Sequence, residues 1–153
     1  MTDTIKAAEL PSLVGQELEP SSWLEITQER VNQFADATND HQFIHVDEEQ
    51  AAKTIFRGTI AHGYLTLSLV SFLTEEKAWK IEGSVMGINY GSDKVRFLQA
   101  VRVGNRIRAR QVITEAIEKS PGQWLTKTAV TIEIENQEKP AMIAELLAMT
   151  IVR

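Results

Sequence analysis

Three residues in the sequence, His41, His45 and His62, carry the imidazole, the side-chain type suited to proton transfer near neutral pH. Two of them sit in Asp40-His41-Gln42-Phe43-Ile44-His45, a segment with neither helical nor strand periodicity. A loop of that kind can aim Asp40 and His45 into one cleft. A carboxylate beside an imidazole suits general acid–base catalysis on water, because the imidazole exchanges a proton near neutrality and the carboxylate orients or shares it. A helix cap followed by a surface histidine has the same spacing, so spacing alone leaves both open.

A second group is Ile60-Ala61-His62-Gly63-Tyr64. Gly63 permits close backbone approach, and a helix starting there presents free N–H groups that would stabilise an oxygen gaining negative charge. A glycine needed only for helix packing would look the same. His62 could be a ligand or a base, or a buried histidine whose hydrogen bonds are satisfied. Ser71 lies about two helical turns after Gly63 and should face roughly the same side, although hydroxyls in buried helices commonly bond back to the helix. No metal site is expected, since the histidines lack metal-binding spacing and no acids cluster beside them. There is no nucleotide-type glycine loop and no serine nucleophile elbow. The chain has no cysteine, which excludes a thiolate nucleophile, a cysteine-held metal and a disulfide scaffold.

The elements that must position these residues form one domain, 1–153. With 43% hydrophobic and 24% charged residues, the composition is that of a globular chain. A net charge of −5 argues against bulk nucleic-acid binding. Met1 to Leu10 has no apolar stretch of signal-peptide length, and Thr59 to Thr74 is too short and polar to span a bilayer. A soluble cytoplasmic protein without a membrane partner is expected.

Residues 1–20 read as a loose lead-in before a short strand near Ser22 to Ile26. Thr27 is a helix N-cap with Glu29 in the first turn, and Val31, Phe34, Ala35 and Thr38 follow at helical spacing up to Asn39. Asp47 with Gln50 resembles a capping box opening a short helix through Ala51 and Ala52. From Tyr64 to Leu73 seven of ten residues are apolar and none is charged, so this helix should be buried nearly all round. Strands are expected over Ser84 to Asn89, Lys94 to Leu98, Arg106 to Ile117, Trp124 to Glu135 and Ala141 to Val152. Their breaks fall at Gly91, Gly104, Ser120-Pro121-Gly122 and Asn136 to Pro140. Helices and strands are segregated, which makes the chain α+β. A curved antiparallel sheet wrapped around a long central helix, the hotdog arrangement, is the way to cover that helix. Its free edge would pair with a second copy, giving a homodimer.

With the elements placed, the residues are recognisable. Phe34-Ala35-Asp36-Ala37-Thr38-Asn39-Asp40-His41-Gln42-Phe43-Ile44-His45-Val46-Asp47, followed by Ile60-Ala61-His62-Gly63-Tyr64-Leu65-Thr66, resembles the MaoC-like hotdog dehydratases. Within them the chain is most similar to the branch of nodulation protein N and single-domain (R)-specific enoyl-CoA hydratases. Asn89-Tyr90-Gly91 and Lys94-Val95-Arg96-Phe97 fit the same branch. The resemblance implies a homodimer that hydrates trans-2-enoyl-CoA to (R)-3-hydroxyacyl-CoA, reversibly and without a cofactor. It places the catalytic pair on Asp40 and His45, the oxyanion glycine on Gly63 and an assisting serine on Ser71. Many members carry Asp-x-Asn-Pro-x-His, where this chain has Gln42 and Phe43; the Gln42 amide could still hold the pair.

Between Lys94 and Arg110 lie six cations and no acid, so this stretch carries +6 and the remainder −11. Arg106, Arg108 and Arg110 would share one strand face. A solvated outer face would explain them, while Arg96, Arg102 and Arg106 could instead hold the phosphates of CoA. Two rival functions remain. A hotdog thioesterase commonly carries its carboxylate on the central helix, yet 61–74 has no acid. A non-enzymatic acyl-thioester-binding module would have no need of Asp40 and His45.

Overall fold

In the computed structural model the described residues are 3–153, so the first two residues of the expected lead-in lie outside them. The rest of that lead-in is not loose. Strand β1 (Thr4–Ile5) pairs in parallel with β3 (Lys80–Ile81), and a 3₁₀ helix follows over Ala7–Leu13. Leu10 of this helix is buried against Ala7 and Trp124. Gly15, Leu18 and Ser21 then donate backbone hydrogen bonds to Ile113, Gln111 and Ala109. The lead-in thus owes its order to docking on a distant strand, which local periodicity cannot reveal.

Strand β2 (Leu24–Glu25) leads into α1 (Gln28–Thr38). The Thr27 hydroxyl accepts the Arg30 N–H at 3.2 Å, and Asn39 ends the helix in the left-handed region at φ 57°. The segment expected to be irregular contains one helical turn, α2 (Phe43–Val46), followed by α3 (Glu48–Ala52). Asp47 caps α3 by accepting the Gln50 N–H. The Gln50 amide donates to the Asp47 carboxylate, not to its backbone as a capping box requires.

The long central helix is interrupted. It comprises α4 (Gly63–Ser68) and α5 (Val70–Glu75), with a turn at Leu69. Leu65, Leu69, Val70 and Leu73 are buried in the core, whereas Tyr64 and Phe72 are 69% and 63% exposed. Burial all round therefore does not hold within one chain, because the curved sheet covers one side of the helix only.

That sheet has five strands in the order β2-β5-β6-β7-β4, with antiparallel pairing throughout: β4 (Ser84–Phe97), β5 (Arg106–Ser120), β6 (Gln123–Ile134) and β7 (Met142–Val152). Ile107, Ala109, Val130, Ile132, Ile134, Met142 and Ala144 point inward to the helix and form the core. Arg106, Arg108 and Arg110 alternate with them. This is the hotdog arrangement. The two strands expected on either side of Gly91 are one strand, and Gly91 lies between two register irregularities that bend it. As an edge strand β4 leaves Met86, Ile88, Tyr90 and Phe97 exposed. Among the described residues no helix is long and apolar enough to cross a membrane.

Candidate active site

The αL turn at Asn39 turns the chain away from α1, and the Asp40 N–H still donates to Ala35 of that helix at 3.1 Å. α2 then turns His45 back toward the segment leading into α4. His45 is buried, 7% exposed, and its Nδ1–H donates to the Ile60 carbonyl at 2.7 Å. A carbonyl only accepts, so the proton sits on Nδ1 and Nε2 is left as a lone pair. Burial holds the imidazole below its usual pKa of 6.5; the Ile60 carbonyl opposes the shift, His62 adds to it, and Asp40 opposes it weakly. The unprotonated base form is thereby favoured at neutral pH.

The Asp40 carboxylate is about half exposed and accepts the Gln42 N–H at 3.3 Å. Gln42 thus contributes its backbone to the pair, and its side-chain amide makes no hydrogen bond among the described residues. His62 is 3% exposed. Its Nε2–H donates to the Asp40 carbonyl at 3.0 Å, and its ring stacks on His45 with centroids 3.8 Å apart and planes at 22°. Nδ1 of His62 is buried and has no partner among the described residues, so the histidine is only half satisfied.

Asp40, His45 and His62 each place a ligand-type atom within 4.8 Å of the others, so an acid does stand beside two histidines, against the sequence expectation. Their arrangement suits proton transfer better than coordination. The rings stack nearly parallel 3.8 Å apart, so a metal in the plane of one ring would lie out of the plane of the other. His41 is elsewhere, paired with Asp36 on the surface.

Gly63 opens α4, and its N–H has no acceptor among the described residues. A Cβ there would sit 3.0 Å from the Phe97 ring and press on it, so packing also favours glycine. Ile60, Gly63, Thr66, Phe97 and Leu98 line a cavity of about 270 Å³. The Ile60–Gly63 segment therefore holds His45 on its Ile60 carbonyl while walling this cavity. Ser71 does not join it. Beyond the turn at Leu69 it lines a groove with Asn89, Tyr90, Gly91 and Leu146.

The arginines divide. Arg106 donates to Glu135 at 2.6 Å, Arg108 to Glu133 at 2.6 Å, and Arg110 to Glu17 at 2.7 Å, while Arg108 also lies over the Trp23 ring. Arg106 is thus paired with an acid, which leaves less of its charge for the phosphate contact expected of it. Among the described residues, Arg102 donates only to the Arg57 carbonyl, and Arg96 only to the Val95 carbonyl. Gln28 is a site residue that sequence reasoning missed. Its amide donates to the His45 carbonyl at 2.8 Å and accepts from the Thr59 hydroxyl at 2.6 Å, so it joins three distant segments. Seventeen and 31 residues separate these contacts, and no local pattern signals them.

The chain matches the family model described as MaoC like domain over residues 9–137. It is 47% identical over 146 residues to nodulation protein N of Rhizobium meliloti (strain 1021), covering 95% of this chain and 91% of that one. It is 44% identical over 138 residues to 3-hydroxyacyl-thioester dehydratase Z of Mycobacterium tuberculosis (strain ATCC 25618 / H37Rv), covering 90% and 91%. An unliganded R-hydratase of Pseudomonas aeruginosa superposes with a TM-score of 0.74 at 25% identity, over 99% of this chain and 89% of that one.

Proposed function

The chain belongs to the MaoC-like domain family and is a hydro-lyase, and from that premise we propose that it hydrates trans-2-enoyl-CoA to (R)-3-hydroxyacyl-CoA and catalyses the reverse dehydration. The observation that carries this reading is the His45 imidazole, held by its Nδ1 on the Ile60 carbonyl so that Nε2 is bare, with a ring nitrogen within 4.8 Å of the Asp40 carboxylate.

A water held between Asp40 and His45 gives up a proton as its oxygen bonds to C3. The π electrons of the C2–C3 double bond move toward the thioester oxygen, and a proton delivered by the pair to C2 on the same face restores the thioester. The pair acts as one unit, without separate acid and base labels. The Gly63 N–H supplies the oxyanion donor, a contribution of about 3–4 kcal/mol when such a donor is removed elsewhere. Of the three arginines expected to meet the CoA phosphates, Arg96 and Arg102 have no acid partner among the described residues and take that role.

The working form is a homodimer, supported by the exposed apolar side chains of the free edge β4 and by the uncovered Tyr64 and Phe72. A cytoplasmic location suits a CoA-dependent reaction. The test is the loss of conjugated enoyl-thioester absorbance with crotonyl-CoA, which should be fast and reversible. Free thiol release from a saturated acyl-CoA would mean hydrolysis instead. Binding without either change would mean a non-enzymatic module.

A further inference from the structure

His45 and Asp40 arrive on one short segment, yet nothing within that segment holds the imidazole and the Asp40 main chain to each other. Among the described side chains, His62 touches both. Its Nε2–H grips the Asp40 carbonyl at 3.0 Å, and its ring lies flat on His45 at 3.8 Å. Phe34 of α1 packs on the same ring at 4.9 Å, tilted by 56°. His62 precedes Gly63, so its place is set by the start of α4, and α4 is anchored in the core through Leu65.

We propose that His62 is a positioning residue, which clamps the Asp40 backbone with one ring nitrogen and the His45 imidazole with its ring face, and so keeps the carboxylate and the free Nε2 in register. The inference rests on the hydratase reading of the same site. It moves His62 out of the substrate-binding set in which the sequence placed it, because the ring is almost wholly covered by protein.

A purely packing role does not account for the residue. Nδ1 is buried with no partner among the described residues, and an unpaired polar nitrogen in the interior opposes folding. Phenylalanine would stack on His45 without that cost and would leave the Asp40 carbonyl unheld. The Asp40 N–H is already tied to Ala35. Losing the second tether frees the peptide that carries the carboxylate to turn about the first, and displacement on the order of 1 Å at such a site costs roughly 100-fold in rate.

The test uses the full-length protein and two variants. His62→Phe keeps the stacking and removes the hydrogen bond, while His62→Gln keeps an N–H near the Nε2 position and removes the ring. We measure kcat and KM for crotonyl-CoA across pH, thermal stability, and the titration of His45 by NMR of labelled imidazole. With His62→Phe, kcat should fall roughly 10- to 100-fold, KM should stay within about threefold, and thermal stability should be retained. His45 should titrate at higher pH once the charge effect of the second imidazole is gone, and the acid limb of the rate profile should move with it. His62→Gln should recover part of the lost kcat through its restored N–H.

A His62→Phe variant with kcat within twofold of the parent would overturn the proposal. So would a rise in KM at constant kcat, which would make His62 a substrate contact. If His62→Phe fails to fold, His62→Gln decides by the same readouts, with its loss of kcat expected to be the smaller one. A parent protein that turns over no enoyl-CoA overturns the hydratase reading alone. In that case the backbone amide resonances of Asp40 and Gln42 decide: unmoved in His62→Phe they overturn the positioning role, and shifted they support it.

Discussion

Replacing His45 by asparagine and by glutamine separates the two nitrogens that the structure assigns to different tasks. Asparagine places an N–H close to the position of Nδ1 and can keep the 2.7 Å bond to the Ile60 carbonyl while deleting the base. Glutamine reaches toward the Nε2 position and leaves that carbonyl without a donor. Both variants lose the proton-transfer group, so turnover of enoyl-CoA should fall about 10²–10⁴-fold, equivalent to roughly 2.7–5.5 kcal/mol of barrier. Their stabilities should differ. An unsatisfied buried carbonyl costs about 1–3 kcal/mol, and for a chain of this size each kcal/mol lowers Tm by about 2–4 °C. His45→Gln should therefore melt several degrees below His45→Asn, which should stay near the parent.

The pH dependence of stability follows from the lowered pKa of His45. The unfolded chain binds a proton near pH 6.5 that the folded chain binds only at lower pH. Parent stability should therefore decline as pH falls below about 6.5 until the folded pKa is passed. His45→Asn should lack this part of the decline. Turnover by His45→Asn above a tenth of the parent value would refute the base assignment, and equal melting of the two variants would refute the Ile60 anchor.

Three further outcomes are expected. Glu76 is held at about 2 by the Ser22 N–H and hydroxyl, so its stabilising effect is complete above pH 4.5 and lost as pH falls through about 2; Glu76→Gln should be less stable than the parent in denaturant at pH 7 and match it near pH 2, and a gap unchanged between the two would contradict the Ser22 clamp. Arg102→Gln should raise KM for enoyl-CoA with little change in kcat, an effect that shrinks in salt and is weak on a pantetheine thioester, whereas Arg106→Gln, which only breaks the Glu135 pair, should leave KM unchanged. Placing lysine at both Met86 and Ile88 on the free edge should give a particle sedimenting at the 17.2 kDa chain mass where the parent sediments at twice that, and an unchanged dimer would exclude β4 as the interface.

The order of elements and the alternation of Ile107 and Ala109 with arginines were legible in the residues themselves, because strand period and turn chemistry are local. So was the cap at Thr27, and so was the end of that helix near Asn39, where the structure shows the left-handed region that asparagine tolerates. The pairing of Asp40 with His45 could be suspected for the same reason: both lie on one short loop. Other features failed for want of a local cause. Pro11 and the mixed pattern of the first 20 residues look loose, yet Leu10 is buried against Trp124, more than a hundred residues away in sequence. The apolar run of Tyr64 to Leu73 predicts a helix buried on every side, but the sheet of one chain has only one face to offer it.

The sequence by itself determined which residue types are present, which of them share a loop or a strand face, and where turns must fall. Tertiary structure decided their partners. It set Ile60 against His45, so that one ring nitrogen holds the proton and the other is free. It stacked His62 on His45, bridged three segments through Gln28, and bound Arg106 to Glu135 just past the end of the neighbouring strand, while Arg102 was set on the Arg57 carbonyl. Each of these depends on distance between groups far apart in the chain, and distance is created only when the sheet closes around its helix.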